Sequence, residues 1–171
     1  MEASLEELQV ILSDHASKPD WDPNYQEGRL VKQIGDSVDL HYLRTKKIAL
    51  VSSRDQYLVY VEKWLSAAES PSGRRTLAVA AKSAPPSGDC PPAEGCVRAA
   101  TIITGWWIEE LEPPQKGCLA RFMIESDFKI SLFVQKQVAP RASNYAARLK
   151  DYVETLNRKQ KNSAMKNLED E

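Results

Sequence analysis

Residues 50–64 read LVSSRDQYLVYVEKW, and this stretch decides the fold. Side chains alternate between the two faces of a β-strand, so Leu58 and Tyr60 share one face while Tyr57 and Val59 share the other. Both faces are therefore apolar or aromatic. We expect one face to line the interior, and the other to be covered by elements outside the sheet.

The N-terminal segment predicts a capped helix. Ser4 precedes the apolar-periodic run LEELQVIL, and Glu7 follows Ser4 by three residues. This is the capping-box pattern, in which each side chain accepts a hydrogen bond from the other residue's backbone N–H. The residue before a proline resists the α conformation, so the helix should end before Pro19.

Alternating apolar residues and turn signals predict an antiparallel sheet after this helix. Residues 83–95, SAPPSGDCPPAEG, predict a mobile loop because proline cannot donate to a sheet ladder. The segment 96–111 is either one long bent strand or a hairpin broken near Gly105. The strands are predicted at 28–34, 37–44, 50–64, 74–83, 96–111 and 117–128.

Apolar residues then recur in steps of three, four or seven, which predicts a long amphipathic C-terminal helix that Pro140 kinks or divides. These residues are Val134, Val138, Tyr145, Leu149, Tyr152 and Leu156. We predict an α+β fold: a curved antiparallel sheet of about six or seven strands wrapped around a long C-terminal helix. One domain covers residues 1–157, and the polar tail 158–171 should fray.

Composition excludes several classes of function. The 171 residues carry 23 Lys and Arg against 24 Asp and Glu, a net charge of −1, so nucleic acid is not an expected partner. No apolar run approaches the roughly 20 residues of a membrane span, and the acidic N-terminus is unlike a signal peptide. Three cysteines do not form a disulfide framework, which favours a reducing, cytoplasmic location.

Catalytic and metal-binding motifs are not found in the sequence. Cys90 and Cys96 lack zinc-site spacing, and the two histidines, His15 and His41, lie far apart in the chain, so we expect no metal and no cofactor. Catalysis is the weakest interpretation, with His41 near Tyr42 as its only candidate base. A curved sheet and one helix cannot easily fill the space between them, so we expect an apolar cavity there, faced by Leu58.

Four segments, in order, resemble the START domain family of lipid-transfer domains, and together they span nearly the whole chain. They are DWDPNY (20–25), SRDQYLVYVEKW (53–64), VRAATIITGWWIEEL (97–111) and VQKQVAPRASNYAARLKDYVETL (134–156). The resemblance implies a helix-grip fold that binds one lipid in a tunnel between sheet and final helix, transfers it, and contacts membranes transiently. The chain would carry no catalytic residues.

START domains normally open with a helix and three strands that this chain does not show, so the resemblance implies a shortened N-terminus. The last predicted strand would then lack its usual neighbour, and an exposed edge invites pairing with another chain, for example in a homodimer. A fragment, an alternative product and a short dimeric member all remain open. So does an interaction module that holds no lipid.

The resemblance also implies lipid-contacting residues on two strands. An acidic residue and an arginine face the cavity in sterol-carrying relatives, and their positions correspond to Tyr42 and Tyr60. Two tyrosines would instead offer hydroxyls or an aromatic wall. Plain core packing is the alternative for both.

Phosphatidylcholine-carrying relatives place a basic residue four positions before the aspartate of their Trp-Asp motif. Lys18 and Asp22 occupy those positions around Trp21, and a lysine can neutralise a phosphate. Arg44 is a second candidate cation. A surface turn for Lys18 and an exposed strand end for Arg44 are the alternatives.

The start of the final helix is the predicted gate. Phe133, Val134 and Val138 lie there, and a shift of the helix would open the tunnel. The alternative is that the helix is a static lid that does not move. Arg54 of the charge pair Arg54-Asp55 is expected to pair with a carboxylate, Asp22 or Glu109, and so to hold the loop 45–53.

Overall fold

The computed structural model describes residues 1–48, 51–131, 134–136 and 144–169. Helix α1 (Leu5–Ser13) is followed by a 3-10 turn (His15–Ser17) and the short helix α2 (Lys18–Trp21). The C-terminal helix is α3 (Tyr145–Glu169). The strands are β1 (Tyr25–Gly35), β2 (Val38–Thr45), β3 (Arg54–Leu65), β4 (Thr76–Ser83), β5 (Val97–Arg98), β6 (Ala100–Glu110) and β7 (Cys118–Asp127).

The strands form one seven-stranded sheet in the order β1-β2-β3-β4-β6-β7, with every pairing along this path antiparallel. The short β5 runs parallel to the start of β3. Helices α1 and α3 both contribute to the core on one face of this sheet. The predicted α+β helix-grip architecture is therefore confirmed.

The N-terminal helix forms as predicted. The Glu7 N–H donates to Ser4 Oγ at 3.1 Å, and the Ser4 N–H donates to Glu7 Oε2 at 2.8 Å, which completes the capping box. Helix α1 ends at Ser13, before Pro19. Pro19 itself lies in the first turn of α2, where a missing N–H costs nothing because that group would have no helical partner.

Strand β6 runs straight through Gly105, so the predicted hairpin break there is wrong. A Cβ at Gly105 would lie 2.2 Å from the Val79 carbonyl oxygen, closer than any side chain tolerates. The glycine therefore allows β4 and β6 to approach closely, as strand glycines often do. The break in this segment falls instead at Ala99, between β5 and β6.

The two apolar faces of β3 are covered as expected. Leu58 and Tyr60 belong to the main core, which α1 and α3 close. Tyr57 packs on the opposite face against Tyr42 and Cys90. Trp106 is in the main core while its neighbour Trp107 is half-buried, as strand alternation requires.

The loop between β4 and β5 covers this second face. The Ala93 N–H donates to the Asp55 carboxylate at 2.8 Å, and Arg98 donates to the Cys90 carbonyl at 3.3 Å. Cys90 is buried. The sequence predicts a mobile loop at 83–95, whereas the structure holds it against the sheet by contacts that composition cannot reveal.

Helix α3 is longer at its C-terminal end than the apolar periodicity indicates. It continues through Glu169, although the residues from Arg158 to Met165 are exposed. Lysine, glutamine and methionine have high helix propensity, which extends the helix without burial. The predicted domain boundary at residue 157 stays a prediction. Val134–Lys136 form a separate helical turn, and Pro140 lies outside the described residues.

Candidate functional site

Two adjoining hollows lie between the concave face of the sheet and α3. The first, the mouth hollow, has a volume of about 140 Å³, and the second, the inner hollow, about 50 Å³. Both are lined by Tyr25, Phe122, Ile124 and Tyr145, so a thin wall separates them. The mouth hollow is bounded further by Ile48, Val51, Arg54, Phe128 and Ile130, and the inner hollow by Leu12, Leu43, Leu58, Tyr60, Val79 and Trp106.

Tyr145 at the start of α3 closes the space between the hollows. Its ring stacks on Phe122 of β7 with centroids 4.3 Å apart, and it meets the edge of Trp21 at 5.3 Å. Burial raises the pKa of Tyr145 well above its ordinary value. Aromatic contacts thus join the start of α3 to β7 and to α2.

Lys18 points its amine into a cage of three aromatic rings. The Nζ lies 4.4 Å from the centroid of Trp21, 5.0 Å from that of Tyr25 and 4.9 Å from that of Tyr145. Burial lowers the pKa of Lys18 to about 8, and nearby Asp22 opposes this shift. Lys18 also lines the inner hollow, so a cation faces the apolar space.

Asp22 ties α2 to α3. Its carboxylate is fully buried and accepts a hydrogen bond from Arg148 at 2.8 Å and one from the Asn24 N–H at 3.0 Å. Asp22 also lines the mouth hollow. Of the predicted trio, Lys18 lines the inner hollow and Asp22 the mouth hollow, while Trp21 lines neither and packs against Lys18.

Leu58 and Tyr60 line the inner hollow, on the predicted face of β3. The Tyr60 hydroxyl donates to the Leu12 carbonyl at 3.4 Å. Burial, followed by the charge of Glu62, raises the pKa of Tyr60 well above its ordinary value. Tyr60 thus adds a hydroxyl to a wall that also carries the polar side chains of Lys18, His15, Gln56 and Thr104.

Tyr42 and Arg44 require a correction. Tyr42 lies opposite Tyr57 in the β2–β3 pairing and packs with it on the face away from the hollows. Arg44, two residues further on, shares that face because strand side chains have a period of two. The neighbours of Tyr42 on β2, His41 and Leu43, lie on the concave face instead.

The predicted partners of the Arg54-Asp55 pair also need correction. Arg54 donates to three backbone carbonyls rather than to a carboxylate: those of Ser52, Phe128 (2.9 Å) and Lys129 (3.2 Å). It therefore ties the segment before β3 to the segment after β7, both of which border the mouth hollow.

Asp22 and Glu109 are the carboxylates predicted to pair with Arg54, but each forms an ion pair with a different arginine. Asp22 pairs with Arg148, and Glu109 pairs with Arg121. Asp55 faces the other side of the sheet and accepts two hydrogen bonds from Arg98, each 2.9 Å. Within the loop 45–53, the Arg54 side chain binds the Ser52 carbonyl; residues 49 and 50 lie outside the described residues, so the expectation that Arg54 holds the whole loop stays a prediction.

The three predicted gate residues stay largely untested. Phe133 and Val138 lie outside the described residues. Val134 is half-buried and is not among the described residues that line either hollow. A gating role for this segment stays a prediction.

Two histidines meet beside Tyr60, although the sequence separates them by 26 positions. The rings of His15 and His41 stack with centroids 3.9 Å apart, and each meets the Tyr60 ring edge-on. Burial, the charge of Lys18 and the charge of His41 lower the pKa of His15 well below its ordinary value of 6.5. Burial also lowers the pKa of His41, against the attraction of Asp39. Sequence analysis misses this pair because it depends on the fold.

The histidine pair predicts a loss of stability in mild acid. Because both pKa values are lowered in the folded protein, the unfolded chain binds more protons below about pH 6.5, so stability is fully present above that pH and falls below it. We expect the Tm to fall between about pH 7 and about pH 5. The fall should be reduced by at least about half in a His15→Phe/His41→Phe variant, which keeps two stacked rings that cannot be charged.

Carboxylates provide the internal control for this measurement. Hydrogen bonds from Ser72 and Arg121 lower the pKa of Glu109 to about 2. The contribution of this carboxylate to folding stability is therefore lost only at a pH below the range in which the histidines take up protons. Differential scanning fluorimetry from about pH 7.5 to about pH 5 is the measurement. Equal pH dependence in the wild type and the double variant would contradict the assignment.

Sequence analysis also misses several residues of the hollows. Tyr145 is predicted only as an apolar helix position, and Phe122 only as a residue of the last strand. Ile48, Val51, Phe128 and Ile130 come from two segments far apart in the chain, so only the three-dimensional structure brings them together.

None of the described helices combines the length and apolar character needed to cross a bilayer. Among the described residues, no cluster of three or more histidine, cysteine, aspartate or glutamate side chains is arranged to hold a metal ion. The site is therefore described by its apolar walls, the caged Lys18 and the buried polar pairs around them.

Comparison with known proteins identifies relatives of this arrangement. The family model described as START domain matches residues 1–161. Human StAR-related lipid transfer protein 5 superposes with a TM-score of 0.75 at 23% identity, over 92% of this chain and 73% of that chain. Human STARD10 superposes with a TM-score of 0.66 at 24% identity, over 87% of this chain and 60% of that chain.

The human StarD13 (DLC2) lipid transfer and protein localization domain gives a TM-score of 0.68 at 16% identity, over 88% of this chain and 72% of that chain. A search of curated proteins gives no match. At these identities the solved structures show the shared fold, and the family match extends over nearly all of the described chain.

Proposed function

Because the chain belongs to the START domain family, we propose that it binds one lipid between the concave sheet and α3 and transfers it between membranes. The observation that carries this proposal is the pair of adjoining hollows, walled mainly by apolar and aromatic side chains. Two of the similar solved structures are named as lipid transfer proteins or domains. The ligand is a phospholipid or a sterol-like lipid.

The hollows must widen to accept such a ligand. Their volumes, about 140 and 50 Å³, are below the roughly 300 Å³ at which small-molecule pockets begin. The Tyr145–Phe122 stack separates them and is an aromatic contact that can part without breaking a sheet ladder. Lipid uptake therefore involves displacement of Tyr145 from Phe122, with α3 moving away from β7.

Burial of the hydrocarbon drives binding but does not select the lipid. Each buried methylene contributes about 0.8 kcal/mol, and a bilayer offers nearly the same gain. Selection therefore depends on polar groups at the hollow wall, for which Lys18 and Tyr60 are the proposed contacts. The Lys18 amine suits a phosphate, and the Tyr60 hydroxyl suits a sterol-type hydroxyl.

The mouth hollow is the proposed contact with the membrane surface. Ile48 and Val51 border it, and Lys46 and Lys47 beside them are exposed. Apolar side chains flanked by lysines suit the boundary between acyl chains and headgroups. A cytoplasmic location of the protein stays a prediction.

A carrier accounts for the histidines better than an enzyme does. His15 and His41 are buried and stacked on each other, and their pKa values are lowered, so both rings stay neutral and enclosed near neutral pH. His41, the candidate base, is not among the described residues that line either hollow.

Filling the inner hollow should block uptake. Leu58 lines it, and tryptophan at this position would occupy the space that a hydrocarbon tail needs. We expect Leu58→Trp to lower the transfer rate at least about fivefold while the protein stays folded, since overpacking costs about 1–3 kcal/mol. The assay follows fluorescent phosphatidylcholine and a fluorescent sterol from donor to acceptor vesicles.

Val59→Trp is the matched control because Val59 is the next residue of β3 and lies on the opposite face. It should transfer lipid at the wild-type rate. If Leu58→Trp folds, shown by a cooperative thermal transition, and still transfers both probes normally, the proposed binding space is wrong.

A further inference from the structure

The amine of Lys18 faces a largely apolar hollow without an ionic partner. Lys18 lines the inner hollow, and its Nζ lies within 5.0 Å of three aromatic ring centroids. None of the described carboxylates lies within ion-pairing distance of this nitrogen, and no described group accepts a hydrogen bond from it. The amine is therefore available to a chemical group that enters the hollow.

The surroundings of Lys18 favour the neutral form of its amine at mildly alkaline pH. Burial lowers the pKa of Lys18 to about 8, against the attraction of Asp22. The other titratable groups around it, His15, Tyr25 and Tyr145, are themselves neutral there, because burial lowers the histidine pKa and raises both tyrosine pKa values. About half of the Lys18 amines are thus neutral near pH 8, and a neutral amine in an apolar pocket is a nucleophile.

We propose that Lys18 forms a Schiff base with a lipid aldehyde, a hydrocarbon chain ending in a CHO group, held in the inner hollow. The Nζ lone pair attacks the carbonyl carbon, and a C–N bond forms. The carbonyl oxygen then leaves as water with the two hydrogens of the neutral amine, which leaves a C=N bond. The step needs no oxidant or reductant, and hydrolysis of the imine releases the aldehyde unchanged.

The two protonation states of Lys18 suit different ligands. The ammonium form suits a phosphate, as proposed above, whereas only the neutral form can attack a carbonyl carbon. Burial of a hydrocarbon chain against Leu58, Val79 and Trp106 would hold its aldehyde end beside the amine, which replaces a chance encounter by a fixed geometry. The inference rests on the proposed function because the aldehyde reaches Lys18 through the lipid-binding space.

The aromatic cage and Asp22 also suit the product. A protonated imine carries its positive charge at the same nitrogen, so the three ring faces still attract it. The Asp22 carboxylate is fully buried, and its Oδ1 accepts the hydrogen bonds from Arg148 and Asn24. Its Oδ2 has no hydrogen-bond partner among the described residues. Asp22 therefore supplies a counter-charge four positions along the chain from Lys18.

Reductive trapping tests the inference. The protein is incubated near pH 8 with dodecanal in phosphatidylcholine vesicles and with sodium cyanoborohydride, which reduces the imine to a stable secondary amine. We expect a dodecyl group at Lys18, located by peptide mass spectrometry and formed at least about tenfold faster than at the exposed Lys46 and Lys47. Lys18→Arg keeps the cation but has no nucleophilic amine, so the fast adduct should be lost.

Glycolaldehyde is the matched probe because this small polar aldehyde gains nothing from an apolar hollow. The ratio of Lys18 to Lys46 modification should be at least about tenfold lower with glycolaldehyde than with dodecanal. Equal ratios overturn the inference, as does dodecanal that modifies Lys18 no faster than the exposed lysines. The phosphatidylcholine transfer assay separates the two claims: transfer without the Lys18 adduct overturns this inference alone, and absence of both overturns the proposed function as well.

Discussion

Replacing Asp55 with alanine is expected to lower the free energy of unfolding by about 3 kcal/mol. The Asp55 carboxylate is fully buried and accepts two hydrogen bonds from Arg98 and one from the Ala93 N–H. Removing it leaves a cation and a backbone donor without their main acceptor. Since Arg98 is partly exposed, the loss lies at the lower end of the roughly 3–5 kcal/mol measured for broken buried pairs. Urea unfolding followed by tryptophan fluorescence measures it.

Asp127→Ala is the control because the Asp127–Lys129 pair is exposed, and exposed pairs contribute little. The Asp55 variant should also become sensitive to protease in the loop 84–96, which Ala93 and Arg98 hold to the sheet. Equal stability of the two variants would show that the Asp55–Arg98 pair does not anchor this loop.

The second large effect concerns the close contact between β4 and β6. Gly105→Ala adds a Cβ that would lie 2.2 Å from the Val79 carbonyl oxygen, and a backbone atom cannot move aside as a side chain can. We expect a loss of at least about 3 kcal/mol, at or beyond the upper end of overpacking costs. Soluble yield and the midpoint of thermal unfolding report the effect.

Gly35→Ala is the matched control, because Gly35 also lies in a strand but has nothing within 4 Å of the added Cβ. That substitution should be neutral or stabilise the protein by about 0.4–1 kcal/mol through the unfolded chain. A Gly105→Ala protein as stable as Gly35→Ala would show that the two strands are further apart than described.

Features that depend on neighbouring residues could be read from the sequence. The capping box of α1 and the hairpin of β1 and β2 follow from a cap signature and from Gly35-Asp36 between alternating segments. The two covered faces of β3 follow from its apolar residues on both sides. Helix α2 is missed because one turn is too short to produce a periodic signal.

Features that depend on distant pairing could not be read in this way. Alignment to relatives predicts that Tyr42 faces the cavity, and an alignment error of one position moves a strand residue to the other side of the sheet. The charge of Arg54 predicts a carboxylate partner because charge is visible in a sequence, while the carbonyls of Phe128 and Lys129 become available only when two distant segments meet.

In the candidate site, too, residues that are close in sequence could be predicted, and residues from different elements could not. Lys18, Trp21 and Asp22 are close in sequence; Lys18 and Asp22 line the hollows, and Trp21 packs against Lys18. The His15–His41 stack and the Tyr145–Phe122 stack join residues from different elements, and nothing in their local sequence marks them. The sequence therefore predicts part of the wall of the site, but not the ring stacks that close it.

Native mass spectrometry of the purified protein, after incubation with vesicles of mixed phospholipids and cholesterol, tests the central claim most directly. The account predicts a complex with one lipid per chain, present in the wild type and in Val59→Trp but strongly reduced in Leu58→Trp. A clean apo mass for the wild type under gentle conditions, or a lipid complex that Leu58→Trp leaves unchanged, would contradict binding in the hollow between the sheet and α3.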